Sequence, residues 1–347
     1  MISIPSSPRK LLLAITITTV LCIFLFLRLQ PHSDLFIPPF PPHSQSQSQP
    51  QSRSRSHPYP SPTTIDNASA RTLELVVASV TSENTTWLHA QLPPTWHKNI
   101  YVTDDAHAAL TVPLNKGREA MVYLTYLIDR YDSLPQNMLF LHASRFAWHN
   151  DDPDYDALPA LRRFRLPYLR EQGYVNLRCV WVIGCPGEIR PALDEMAAAK
   201  AGGAGNNLIM AKHVYKQAFE ELLPGERVPE LVGVSCCSQF GVTRERVRRR
   251  PRADYVRFRD WLLHTPLDDA LNGRVFEFAW HIIFGKEAVH CPVAKTCYCD
   301  VFGLCDLDCE EEGSCLGRYT LPPYSTLPEG WPLVGWEQEE REFSGPL

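Results

Sequence analysis

Two apolar runs, LELVVASV at residues 73–80 and NMLFLHA at 137–143, constrain this chain more than anything else in it. Neither alternates apolar with polar residues. A strand that is apolar on both faces must be buried on both, the condition inside an α/β sheet covered by helices on each side. Between them lie KNIYVTDD (98–105), a further strand, and GREAMVYLTYLIDRYDSL (117–134). The latter is a helix whose apolar stripe is Met121, Leu124, Leu127, Ile128 and Tyr131. Ser82 stands where it would cap a brief helix over SENTTWLHAQ. LRCVWVIG (177–184) reads as a fourth strand, 208–223 and 254–264 as helices, and GRVFEFAWHIIFG (273–285) as one buried helix. The low-complexity stretch EMAAAKAGGAGNN (195–207) is an insertion and not a phosphate loop, since no strand leads into its glycines. Strands alternating with helices predict an α/β fold with a Rossmann-like open sheet.

Composition is that of a globular protein with one or two domains: 44% hydrophobic, 21% charged, over 347 residues. A net charge of −5 gives a nucleic-acid partner no electrostatic basis. The N-terminus is different. Residues 11–27 carry no charge, with Arg9 and Lys10 before them and Arg28 after. At ~1.5 Å per residue the run spans about 25 Å, the short end of a bilayer crossing. RLQPHS follows it instead of a small-x-small cleavage site, which favours a signal anchor over 11–29 against a cleaved signal peptide. The basic flank predicts a cytosolic tail, residues 1–10. Residues 30–70, rich in Pro, Ser and Gln, lack the apolar periodicity that offsets chain entropy and read as a disordered stalk. The expected layout is a single-pass type II membrane protein of the Golgi or endoplasmic reticulum. Its lumenal part comprises an α/β domain over 71–290, a Cys-rich subdomain over 291–320 and a tail over 321–347. Sequons at Asn67 and Asn84 agree with a lumenal location.

Apart from Cys22 in the apolar run, ten cysteines remain: Cys179, Cys185, Cys236, Cys237, Cys291, Cys297, Cys299, Cys305, Cys309 and Cys315. An even number in an oxidising compartment predicts disulfides. Only Cys305-x3-Cys309 resembles a zinc knuckle, so the six at 291–315 are expected to staple a subdomain. Six cysteines allow about 15 pairings, and the order is not readable. The adjacent Cys236 and Cys237 are expected to tie a loop to Cys179 or Cys185.

In an open α/β sheet, ligands bind beyond the carboxyl ends of the strands. The first strand ends at Ser79 near Glu83, the second at Asp104 and Asp105. The third ends at His142, followed by Arg145, His149, Asn150, Asp151, Asp152 and Asp154. Asn115 and Arg118 open the helix before that third strand. Aspartate pairs 104/105 and 152/154 offer oxygen ligands for Mn²⁺ or Mg²⁺, or else cap turns. Arg118 can clamp phosphate or sit in an ion pair. His142 is a base, a ligand or a buried histidine bonded to backbone. Glu277 and His281, at i and i+4, would share one face of an apolar helix; a carboxyl there has a raised pKa suited to a general base. The six arginines of TRERVRRRPR (243–252) read as a solvated helix face, with a nucleotide diphosphate or acidic lipid as the alternative.

LNKGREAMVYLTYLIDRYDSLPQNMLFLHASRFAWHNDD, GYVNLRC, CCSQFGVTRERV and GRVFEFAWHIIFG together resemble a family of uncharacterised fungal membrane-anchored proteins, classed only as a domain of unknown function, over roughly residues 73–300. More loosely, the pattern is similar to nucleotide-sugar-dependent glycosyltransferases of the single-Rossmann (glycosyltransferase-A) type. That resemblance implies a nucleotide-sugar donor and a glycan or protein acceptor. It puts Asp104/Asp105 or Asp152/Asp154 at the metal motif, Gln239 and Phe240 in the acceptor pocket, and Glu277 near the base. The departure is that no D-x-D directly follows an apolar strand. With Glu277 and His142 as the catalytic candidates, the candidate substrate contacts are Asn115, Arg118, Arg145, Gln239, Phe240 and His281. The expected activity is glycosyl transfer. The alternatives are a non-catalytic lumenal binding protein and a metal-dependent hydrolase built on His142, His149 and Asp151/Asp152.

Overall fold

The computed structural model describes residues 73–201, 210–319 and 326–346. The predicted tail (1–10), anchor (11–29), stalk (30–70) and sequon at Asn67 lie outside them. No described helix is long and apolar enough to cross a membrane. Asn84 is described and exposed; its side-chain oxygen accepts from the Thr86 N–H and hydroxyl.

The three apolar runs form parallel strands: β1 (Leu73–Ser79), β2 (His97–Val102) and β3 (Asn137–His142), with β1 in the middle. Beyond β3 the sheet continues into β6 (Phe240–Thr243) and then β4 (Tyr174–Asn176). β6 runs antiparallel to both neighbours, so the five-stranded sheet is mixed. β5 (Gly233–Val234) and β7 (Val289–His290) make a separate parallel pair.

Because alternate residues of a strand face opposite sides, each strand feeds two cores. Val76, Met138, Phe140, Phe240 and Val242 face one side. There they pack under α2 (Glu119–Asp129), α6 (Ala211–Leu222), α8 (Arg252–His264), α9 (Asp269–Glu277) and α10 (Trp280–Ile283). Leu75, Val77, Leu139 and Leu141 face the other. They are covered by α1 (Thr86–Gln91), α3 (Ala157–Arg163), α4 (Leu166–Gln172) and α11 (Ala294–Phe302). α5 (Pro191–Ala201) lies against α6, and the short α7 (Arg244–Val247) follows β6.

Several expectations are corrected. Residues 177–184 form no strand; the chain leaves the sheet at Asn176, and Arg178 donates to the Val182 carbonyl, folding the segment back. The apolar run at 273–285 is two helices: the Ala279 N–H bonds to Phe276 O, three residues back instead of four, and the tightened turn breaks the helix. All ten cysteines pair, but Cys236 bonds to Cys237, not to Cys179 or Cys185. Cys179 takes Cys297 and Cys185 takes Cys291. Cys299–Cys305 and Cys309–Cys315 close short loops. The Cys-rich segment is therefore sewn onto the sheet: Ala294, Cys297, Tyr298, Val301 and Phe302 of α11 complete the second core.

The two long-range disulfides constrain the unfolded chain far more than the short ones, since loop-closure entropy grows with loop length. Replacing Cys179 and Cys297 by Ala, a separation of 118 residues, is expected to cost about 5 kcal/mol in denaturant unfolding, against about 2 kcal/mol for Cys299 and Cys305. Equal losses from both pairs would refute the ranking.

Candidate functional site

The turn Asn115-Lys116-Gly117-Arg118 joins the sheet to the helical layer. Lys116 Nζ donates to the carbonyls of Leu263 and Thr265, capping the end of α8. The Gly117 N–H donates to Asp269 Oδ1 in the first turn of α9, 2.9 Å away. Gly117 sits at φ +74°, and a Cβ there would meet Leu262 at 2.6 Å, so only glycine fits. Arg118 follows at φ +52°, ψ −132°, a conformation that side chains rarely adopt. Its stem runs over Gly273 of α9, and its guanidinium, exposed, donates no hydrogen bond among the described residues.

The ends of β1 and β3 and this turn enclose a cleft of about 300 Å³. Ser79, Glu83, Asn115, Arg118, Glu119, His142 and Asp269 line it. The predicted convergence of Asn115, Arg118 and His142 on one strand-end rim is thus present. His142 Nε2 lies 2.6 Å from the Cys237 carbonyl. A carbonyl only accepts, so Nε2 carries the proton and Nδ1 is the free lone pair of the neutral ring. The His142 ring packs 4.2 Å from that of His149, centroid to centroid. Burial, then the neighbouring His142 and Arg178, hold His149 well below the usual histidine range.

Glu277, the last residue of α9, is 13% exposed and 3.7 Å from Arg274. Burial pushes its carboxyl up from 4.5 to about 7; Arg274, Arg118 and Arg178 pull it down, and Glu119 pushes it further up. Two residues lining the cleft, Arg118 and Glu119, therefore act electrically on it. Its carboxylate and the Sγ atoms of Cys236 and Cys237 lie within 4.8 Å of one another. This is the only trio of metal-capable side chains brought together among the described residues. Its sulfurs are already bonded to each other, and thiolates do not suit Mn²⁺ or Mg²⁺.

The other predicted residues lie elsewhere. Asp104 accepts from the Thr81 N–H and hydroxyl, which hold it below the usual carboxylate range, and Asp105 accepts from the His107 N–H. Asp152 is buried and thereby pushed up to about 6, with Arg318 at 3.9 Å; Asp154 pairs with Arg341 at 2.9 Å. These two aspartates border a separate cleft of about 580 Å³ that reaches Phe343. Asp151 is occupied by the N–H groups of Cys179 and Val180 and the Tyr298 hydroxyl. Neither acidic pair enters the strand-end cleft, and the hydrolase constellation of His142, His149, Asp151 and Asp152 has its aspartates spoken for.

Arg145 forms a buried two-pronged ion pair with Asp156, 2.7 and 2.9 Å. Gln239 bridges the His142 N–H to Asn150. Phe240 is a core ring stacked 4.9 Å from Phe140. His281 is fully buried with Nε2 2.9 Å from Ala288 O, and burial pushes it down to about 4. The helix breaks at residues 278–279, so His281 and Glu277 are not on one continuous helix. Of the six arginines at 244–252, Arg248, Arg249 and Arg252 are exposed, in keeping with a solvated face, yet five of the six are bonded to backbone. Arg244, Arg246, Arg248, Arg250 and Arg252 donate to the backbone carbonyls of Leu134, Gln172, Tyr131, Ile283 and Ile128. Sequence reading missed Asp269 and the Cys236–Cys237 bond. Only the Asp268-Asp269 start of a helix hinted at the first.

A disulfide-stapled, three-layered α/β protein with a strand-end cleft is the class these features define. Residues 75–300 match the model of a family described as protein of unknown function (DUF3431), and the chain belongs to that family. No curated protein and no solved structure matches it. Its five disulfides point to an oxidising, secretory-type environment.

A carboxyl that holds its proton to about 7 when folded, and to 4.5 when unfolded, costs stability as pH climbs through that interval. Glu277→Gln is expected to match the native chain near pH 4.5 and to exceed it by about 2–3 kcal/mol at pH 8 in denaturant unfolding. A difference that does not grow with pH would refute the buried placement.

Proposed function

We propose that this protein is a glycosyltransferase-like enzyme of the secretory pathway that uses a nucleotide sugar. The observation that carries the reading is an uncommitted guanidinium (Arg118) in the cleft at the ends of parallel strands, near enough to a buried carboxyl poised near neutrality (Glu277) to pull its pKa down. Arg118 faces the donor's phosphates, where a fork of N–H donors meets oxygen anions in pairs. An acceptor hydroxyl attacks the anomeric carbon, Glu277 takes its proton, and the nucleoside diphosphate departs with the bonding electrons, its charge met by Arg118. His142, with Nε2 held by Cys237, offers Nδ1 to a sugar hydroxyl.

A second reading, a lumenal protein that binds such a ligand without turning it over, is favoured by one observation: both acidic pairs are committed to partners outside the cleft.

The full-length chain, purified with its disulfides intact, is to be screened against nucleotide sugars by thermal shift and by donor turnover, with Mn²⁺, Mg²⁺ and chelator arms. Arg118→Ala is expected to weaken donor binding about 10- to 100-fold. Glu277→Gln is expected to leave binding in place and lower turnover by ~10²–10⁴. Binding without turnover would leave the second reading; no binding to any donor would end both.

A further inference from the structure

Four of the five disulfides hold distant or looped segments together. The fifth joins neighbours, Cys236 and Cys237, and so removes almost no freedom from the unfolded chain. Its effect is local, and its locality is the cleft. Cys237 and Ser238 are held at φ +133° and +56°, where side chains other than hydrogen are disfavoured. The Cys237 carbonyl receives the Nε2–H of His142, and both sulfurs lie within 4.8 Å of the Glu277 carboxylate. One covalent bond thus fixes the backbone that holds His142 in the cleft and sets two sulfurs beside Glu277, while contributing little to the fold.

We propose that Cys236–Cys237 is a reversible thiol–disulfide site for a dithiol reductant, and that its state sets the position of His142. A thiolate of the dithiol attacks the sulfur of Cys237, the less deeply buried residue of the two (8% against 3%). The S–S bond breaks, and the Cys236 sulfur leaves with the electron pair and takes a proton. The second thiolate of the dithiol then attacks the mixed disulfide, releasing the Cys237 thiolate, which is protonated in turn. Two electrons and two protons pass to the protein, and the reductant leaves as its cyclic disulfide. With the ring open, Cys237 relaxes from its positive φ and its carbonyl leaves His142. A disulfide donor of the same class reverses the change. None of this depends on the nucleotide-sugar reading.

The test uses the full-length chain, graded dithiothreitol, alkylation with N-ethylmaleimide and peptide mass spectrometry. Cys236 and Cys237 are expected to label together, before Cys179, Cys185, Cys291 and Cys297. At that point the melting midpoint is expected to stay within about 2–4 °C of the oxidised protein. The His142 imidazole resonances are expected to move, and Cys236→Ser/Cys237→Ser to reproduce their new positions. Labelling that begins at the long-range pairs, or His142 resonances unmoved after the adjacent pair opens, would overturn the proposal. The reduced native chain decides this even where the double variant does not fold.

Discussion

The complete burial of α2 is the constraint on which the rest depends. Every residue from Ala120 to Ile128 is buried, with the sheet on one side and α8 and α9 on another. A helix enclosed in this way has no surface on which to slide or rotate. Its first turn is pinned by Lys116 to the end of α8 and by Gly117 to the start of α9. Arg118 is therefore delivered to the strand ends by packing that involves three helices and the sheet, and its unusual backbone conformation persists because those contacts over-determine it.

The same economy explains the arginine run. Carbonyls at the ends of helices and loops lack partners within their own element, and a buried one left unpaired costs ~1–3 kcal/mol. Arg246 reaches Gln172 at the end of α4, Arg252 reaches Ile128 near the end of α2, and Arg250 reaches Ile283 at the end of α10. A stretch that looks like an electrostatic platform in one dimension is, Arg249 apart, a set of separate caps in three. Arg145 and the aspartates at 151–156 are likewise consumed in holding one loop. Charge density in a sequence measures the demand for partners, and here the fold supplies most of them.

What was legible follows from range. Local periodicity revealed β1, β2, β3 and α2, because β1 and β3, buried on both faces, leave unbroken apolar runs. The rule that ligands meet strand ends then placed Asn115, Arg118 and His142 together. The insertion of antiparallel β6 between β3 and β4 was not legible, since Phe240–Thr243 is four residues long and its partners are some 65 and 100 residues away. Cysteine parity predicted disulfides and could not predict that Cys179 pairs across 118 residues. The separation of Glu277 from His281 turned on one hydrogen bond shifted from four residues back to three at Ala279, a change of register that composition does not encode.

Glu277 shows how stability and site chemistry pull apart in this fold. A glutamine would satisfy the same volume without the cost of burying a charge, and the carboxyl's ion pair with Arg274 at 3.7 Å is too long to offset desolvation fully. Nearby, Arg118, Cys237 and Ser238 all hold backbone conformations that glycine would adopt more cheaply. Arg118 lines the cleft and Cys237 lies beside Glu277, in a protein whose two cores are otherwise closely filled with apolar side chains. Packing alone gives no reason for them to coincide. Strain and a misfit charge are features a well-packed core discards, and here they persist because the surrounding contacts over-determine them.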